Sequence, residues 1–242
     1  MKLTTNPIYQ LLFIDIETVP QFPRFAGLSE TWQQLFSEKM AKTMPESQSI
    51  DSLYTEKAGI LAEFGKVVCI SLGYFFEQEP KELHFKVKNI FDDDERVLLQ
   101  KFVETVKKFQ AKYKSFRFAG HNIREFDIPY ISRRLLIQQL PLPGFLPNAG
   151  AKPWEVNMFD TMQFWKFGDY KNYISLNLLS HVLGVPTSKD DISGKDVARV
   201  YYEEKDLTRI AAYCAKDVAA TANVYLRMYR QPLLKEENIV WE

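Results

Sequence analysis

The sequence predicts an α/β fold: a mixed central sheet, with an antiparallel meander plus parallel strands, flanked by helices. Three observations predict it. Strand patterns crowd the first third, strand and helix patterns alternate after them, and the last part is helical. No linker-like stretch divides the 242 residues. The expectation is therefore one domain, residues 1–242, with a surface insertion at about 20–60.

The apolar run Leu11-Leu12-Phe13-Ile14-Asp15-Ile16-Glu17-Thr18 reads as a buried first strand, roughly residues 10–17. The insertion after it carries Pro20, Pro23 and Pro45. Its middle, Glu30 to Met40, reads as a helix with Trp32, Leu35, Phe36 and Met40 near one face. Lys66 to Phe75 is a strong strand pattern, and Leu83 to Lys88 alternates like a half-exposed one. Together these three strands form the meander. Asp92 with Glu95 fits a capping box, followed by Leu98, Phe102, Val106, Phe109 and Tyr113 at helical spacing. The opposite face, Lys101, Lys107, Lys108 and Lys112, reads as solvated surface rather than a binding patch. Then come a strand at Phe116 to Gly120, a helix at about Pro129 to Gln139 and a strand at Val156 to Asp160. A helix at Ser175 to Leu183, ended by Gly184, and a long one from about Asp206 to Arg230 complete the pattern.

Composition narrows the function classes. Formal net charge is zero and apolar content is 46%. A broad basic surface gripping nucleic acid is thereby disfavoured, while a local basic groove stays open. Cys69 and Cys214 match no metal-type spacing and are expected to stay reduced. The first residues lack an apolar signal core, and no run approaches transmembrane length, so the reading is a soluble cytoplasmic protein without a membrane partner.

Three acidic sites carry chemical meaning. Asp15 and Glu17 are two apart on a strand and share a face. They are either two solvated acids at a strand end or a pair that holds a divalent cation, since adjacent buried carboxylates repel. Pro129 forces Ile128 out of helical geometry and sets Asp127 at or just before a helix N-terminus, as a cap or as a site residue. Tyr213 and Asp217 are four apart on a helix, followed by the small residues Ala219, Ala220 and Ala222.

In order, the three segments resemble the motifs of the DEDD 3′–5′ exonuclease superfamily. Asp15-Ile16-Glu17 matches the first motif, His121-Asn122 through Phe126-Asp127-Ile128-Pro129 the second, and Tyr213-Cys214-Ala215-Lys216-Asp217 the third in its tyrosine (DEDDy) form. The second resembles the proofreading domain of family-B DNA polymerases. The whole chain is similar to stand-alone bacterial proteins predicted to be exonucleases related to that domain. The histidine branch of the superfamily places a His five residues before the last Asp, where this chain has Ala212.

The resemblance implies a ribonuclease-H-like fold and metal-dependent hydrolysis of phosphodiester bonds from a free 3′ end. It implies that Asp15, Glu17, Asp127 and Asp217 hold two divalent cations, Mg²⁺ or Mn²⁺. Asp15 is the expected bridge between them, and Glu17 the ligand nearer the attacking water. Tyr213 would orient that water, because a phenol of pKa ~10 is a poor base at neutral pH. Asn122, Phe126 and Thr18 are the expected substrate contacts, although Phe126 also fits a core aromatic. Asp160 is an outer carboxylate or a helix cap. Arg133, Arg134 and Lys216 are either phosphate contacts or solvated charges. The expected partner is single-stranded DNA, with a polymerase or repair protein supplying any synthesis. The alternatives are a 3′–5′ exoribonuclease and a catalytically silent binding module. The insertion, with Phe22, Phe25, Trp32 and Phe36, is either a docking surface or a lid packed on the core.

Overall fold

The computed structural model describes residues 7–42, 48–78, 82–147, 150–152, 156–169, 171–187 and 191–242. Residues 1–6 and Pro45, used in the sequence reading, lie outside them. Six strands form one sheet: β1 Leu11–Pro20, β2 Gly65–Gln78, β3 Glu82–Phe91, β4 Arg117–Gly120, β5 Met158–Asp160 and β6 Ile239–Trp241. Their order is β5-β4-β1-β2-β3-β6. β1, β2 and β3 pair antiparallel, as the meander predicts. β4 runs parallel to β1, β5 to β4, and β6 to β3. The helices are α1 Glu30–Met40, α2 Ile50–Lys57, α3 Glu95–Lys112, α4 Asp127–Ile137, α5 Thr161–Lys166, α6 Leu176–Leu183, α7 Val197–Arg199 and α8 Leu207–Met228.

β1 is apolar on both faces because helices cover both. Leu12, Ile14 and Ile16 join a core with Leu98, Phe102 and Val106 of α3 and Ile131 and Leu135 of α4. Leu11 and Phe13 face the other way, into a core with Ala215, Val218, Ala222 and Leu226 of α8. The small residues after Asp217 thus let α8 lie close to the sheet. The insertion has a cluster of its own, including Leu28, Phe36, Met40, Leu53, Tyr54 and Phe64. Within α1, Phe36 and Met40 are buried, whereas Trp32 and Leu35 are 45% and 44% exposed, so the predicted apolar face is only half used.

One local expectation fails. The cap of α3 is Asp94, whose carboxylate accepts from the Arg96 and Val97 amides, rather than an Asp92–Glu95 box. Glu95 is drawn off by tertiary partners. It is 5% exposed, accepts from Arg134 Nε and from the Val67 amide at 2.8 Å each, and receives Gln138 Nε2 at 2.7 Å. Arg134, 1% exposed, also donates to the Ala62 carbonyl at 2.8 Å. This buried pair ties α3, α4 and the start of β2 together. It also removes Arg134 from the candidate phosphate contacts, while Arg133 and Lys216 remain exposed.

Candidate active site

Alternation along β1 sends Asp15 and Glu17 to the face that packs on α8, between Phe13 and Val19. Opposite Glu17 the register with β2 shifts: Glu17 pairs with Cys69 but Thr18 with Val67. Such irregularities re-aim a side chain beside a site. β4 accompanies β1 only from Leu11 to Phe13, so beyond that point β1 has a free edge. Asp127, the first residue of α4, fills it, and its Oδ1 accepts the Ile16 amide at 3.1 Å. The approach is tight. A Cβ at Gly120 would stand 2.2 Å from Ile123 Cγ2 and 2.8 Å from the Ile14 carbonyl oxygen, so only glycine lets the chain turn there.

α8 brings Tyr213 and Asp217 to the same place, with the Tyr213 hydroxyl hydrogen-bonded to the Asp217 carboxylate. Burial, then the charges of Asp217, Glu17 and Asp15, raise the Tyr213 pKa far above that of a free phenol. Burial is also the main cause that raises the pKa of Asp15 well above the carboxylate range, followed by Asp127, Asp217 and Glu17. Glu17 is raised in the same way by burial and then by Asp217. Asp127 is pushed up to about 8 by burial, with its own amide and that of Ile16 opposing. Among the described residues, no Lys, Arg or His comes within 4 Å of Asp15, Glu17 or Asp127 to form an ion pair. These are hard oxygen donors that repel one another, and the set fits a divalent cation.

Cys214, between Tyr213 and Asp217, had no sequence signal as a site residue. Its thiol donates to the Asp15 carbonyl and Oδ2, at 3.4 Å each. Ligand atoms of Asp15, Glu17 and Cys214 lie within 4.8 Å of one another. Because the thiol is fully buried behind Asp15 and acts as a donor, it braces that carboxylate.

The second motif is held by Asp160. Its oxygens accept the amides of Asn122, Arg124, Met162 and Gln163, so it caps α5 and fixes the loop from Asn122 to Asp127. Four amide donors, three on Oδ1 and one on Oδ2, give Asp160 the work of a helix cap and loop brace, the cap of the two roles open to it. The half-buried His121 ring spans Thr161 Oγ1 and the Ile174 carbonyl, 2.9 Å from each, with Nε2–H donating to the carbonyl. Asn122 adopts a left-handed φ of 62°, and its side-chain Oδ1 is buried without a protein partner. Thr18 and Phe126 line a cleft of about 1000 Å³ beside Glu17. The Thr18 hydroxyl is bonded to Tyr130, and the Phe126 ring lies 5.4 Å from that of Tyr130, so Phe126 serves the core and the cleft together. The insertion forms the far wall through Ser52, Thr55, Glu56, Gly59 and Ile60, and Gly194 and Lys195 close the end.

Residues 60–237 match the family described as "Predicted 3′-5′ exonuclease related to the exonuclease domain of PolB". That span holds Asn122, Asp127, Tyr213 and Asp217, while Asp15 and Glu17 precede it. Among solved structures the chain is similar to the family B DNA polymerase from the hyperthermophilic archaeon Pyrobaculum calidifontis, with a TM-score of 0.53 and 16% sequence identity. The likeness covers 91% of this chain and 24% of the polymerase, so the chain spans about a quarter of that relative's length. At that identity it shows the fold, a ribonuclease-H-like mixed sheet. No curated protein matches the chain. Among the described residues no helix is long and apolar enough to cross a membrane.

Proposed function

The chain belongs to the family of predicted 3′–5′ exonucleases related to the exonuclease domain of PolB, and from that premise we propose that it hydrolyses single-stranded DNA from the 3′ end. Residues 1–242 act as one exonuclease domain, with the 20–60 insertion as the outer wall of its cleft. The observation that carries this reading is the set of carboxylates, half-buried Asp15 with buried Glu17 and Asp127, facing Asp217 without a protein cation beside the first three. Such a set is unfavourable until divalent cations join it.

Asp15, Glu17, Asp127 and Asp217 would hold Mg²⁺ or Mn²⁺. Two such ions would supply Lewis-acid activation of water and charge balance at the leaving 3′ oxygen. Asp15 and Asp127 are held in place, by Cys214 and by the Ile16 amide, before any ligand arrives. Tyr213 keeps its proton at neutral pH, so it orients the attacking water by hydrogen bonding and does not remove its proton. Asn122 Oδ1 has no protein partner but is closed off from solvent, so its contact with the terminal nucleotide requires the side chain to turn outward. Phe126 offers a ring to the terminal base and Thr18 a backbone contact along the cleft. Where the activity serves proofreading or repair, synthesis comes from a partner polymerase.

The test uses 5′-labelled DNA and RNA strands of the same sequence. Stepwise shortening of DNA from the 3′ end with Mg²⁺ or Mn²⁺, stopped by EDTA, is the expected result. Faster shortening of RNA makes the protein an exoribonuclease, and cleavage of a strand with a blocked 3′ end makes it an endonuclease. Either outcome overturns the substrate assignment.

A further inference from the structure

Charge is distributed unevenly in this neutral chain. Between residues 101 and 117 stand six cations, Lys101, Lys107, Lys108, Lys112, Lys114 and Arg117, against one acid, Glu104. The catalytic cleft shows the reverse. Among its lining residues Lys195 is the one cation, set against Glu17 and Glu56. The groups that could grip a polyanion are therefore elsewhere.

Two of them, Lys108 and Lys112, meet two β3 lysines on the opposite side of the sheet. Lys86 and Lys88 of β3 stand across from Tyr74 and Leu72 of β2, on the face that α3 covers. With Lys108 and Lys112, four apart on α3, they rim a pocket of about 290 Å³. Its floor is aromatic: Tyr74 and Phe109 have ring centroids 5.4 Å apart, and Phe109 and Tyr113 4.8 Å. Lys112 lies over the Tyr113 ring at 5.1 Å. Glu242 engages Lys86 and Lys88, at 3.2 and 3.7 Å, and Asp92 engages Lys101. Lys107, Lys108 and Lys112 have no ion-pair partner among the described residues. The sequence reading of this face as plain solvated surface saw only α3. The fold adds the β3 lysines and the rings.

We infer that this face is an anchor for the body of a single nucleic-acid strand, with its phosphates on Lys108 and Lys112 and bases against Tyr74 and Tyr113. A lysine rim over aromatic rings is the chemistry that holds such a strand without reading its sequence. Leu12, in the pocket floor, is three residues before Asp15 and points to the other face of the sheet. A strand must therefore turn around the molecule to occupy both sites. For a domain this size, of radius of gyration roughly 18 Å, that takes on the order of ten nucleotides. The inference rests on the exonuclease reading for its choice of partner.

The experiment measures fluorescence anisotropy of a labelled DNA strand of about 30 nucleotides in EDTA, where no hydrolysis occurs. The Lys108→Gln/Lys112→Gln variant is expected to bind at least ~5-fold more weakly at low salt. The slope of log affinity against log salt should flatten by about 1.4, or ~0.7 for each lost contact. Lys108→Arg/Lys112→Arg should restore both, and circular dichroism should show all variants folded. Hydrolysis adds a second readout: the Gln variant raises KM for the long strand with kcat unchanged, and leaves a strand of about three nucleotides unaffected. Equal affinity and slope in the Gln variant overturn the proposal. So does a wild type that binds polyglutamate but not the strand, which would give the face to an acidic protein. A protein that binds through these lysines but cuts nothing overturns the exonuclease reading alone.

Discussion

One helix serves two opposite electrostatic designs. α4 begins at Asp127 and carries Arg134 seven residues later, two turns along the same face. At Arg134 the helix completes a buried pair with Glu95, and Gln138 and two backbone groups are within bonding distance. At Asp127 it adds a third carboxylate to Asp15 and Glu17 and brings no cation. Both groups are buried to a similar degree, Glu95 at 5% exposure and Asp127 at 3%. Burial alone therefore does not mark a functional acid; the supply of partners does. Acids that hold the fold come with their counter-charges or amides built in, as at Glu95 and Asp160. The acids proposed as metal ligands repel one another, with the Ile16 amide on Asp127 and the Cys214 thiol on Asp15 but no counter-charge.

The contrast is testable from its strongest side down. Asp15→Asn removes one negative charge from the unpaired group while keeping its shape. Nuclease turnover should fall at least ~1000-fold, about 4 kcal/mol of barrier, while the melting temperature in EDTA holds or rises. A large loss of stability in D15N would mean that the acids are structural. Arg134→Met, on the paired side, should show the reverse. Leaving Glu95 buried without its partner should cost about 3–5 kcal/mol in urea unfolding, and Glu95→Leu added to it should recover most of that loss.

Metal and pH separate the two groups next. Saturating Mg²⁺ or Mn²⁺ at a hundred times its Kd should raise stability by about 2.7 kcal/mol in the wild type, and much less in D15N. Asp127 binds its proton more tightly folded than unfolded, with a folded pKa of about 8 against ~3.9 in an unfolded chain. Its contribution is fully present below pH ~4 and is lost as pH rises through about 8. The melting temperature in EDTA should therefore decline across that window, and bound metal should flatten the decline. A metal-free melting temperature that climbs steadily across it would contradict the unpaired state of these acids. The smallest effect belongs to Asp160→Ala, which loses a helix cap. About 1–2 kcal/mol of stability should go, with a fall in turnover because the loop from Asn122 to Asp127 loosens. Unchanged turnover in that variant would detach the loop from catalysis.

Sequence patterning located much of this. β1 to β3, the helix at residues 30–40, α6 with its Gly184 stop, and α8 follow from periodicity and turn chemistry that act over a few residues. Spacing two on a strand gave Asp15 and Glu17 a shared face, spacing four on a helix did so for Tyr213 and Asp217, and the resemblance to the exonuclease motifs joined these with Asp127 as a set. What escaped depends on partners distant in the chain. The capping role passed from Asp92 to Asp94 because Glu95 is taken by Arg134, 39 residues away. β6, only three residues long, exists by pairing with β3. Cys214 gains its role from Asp15, 199 residues away. The lysine face acquires its meaning only when β3 folds beside α3.

The separate cluster inside the insertion has a consequence for motion. The sheet's cores are continuous with β1, α4 and α8, which carry the acids. Their amides are expected to exchange with solvent at the slow limit set by global unfolding. The outer wall of the cleft keeps Phe36, Leu53 and Tyr54 in a nucleus of its own. Its links to the core include the Tyr130 hydroxyl on the Gly59 carbonyl, and its amides are expected to exchange before those of the sheet. Hydrogen exchange slower at β1, α4 and α8 than at residues 50–60 would show a floor firmer than the wall. Under the proposed function, a strand end would enter past that wall and leave the carboxylates undisturbed.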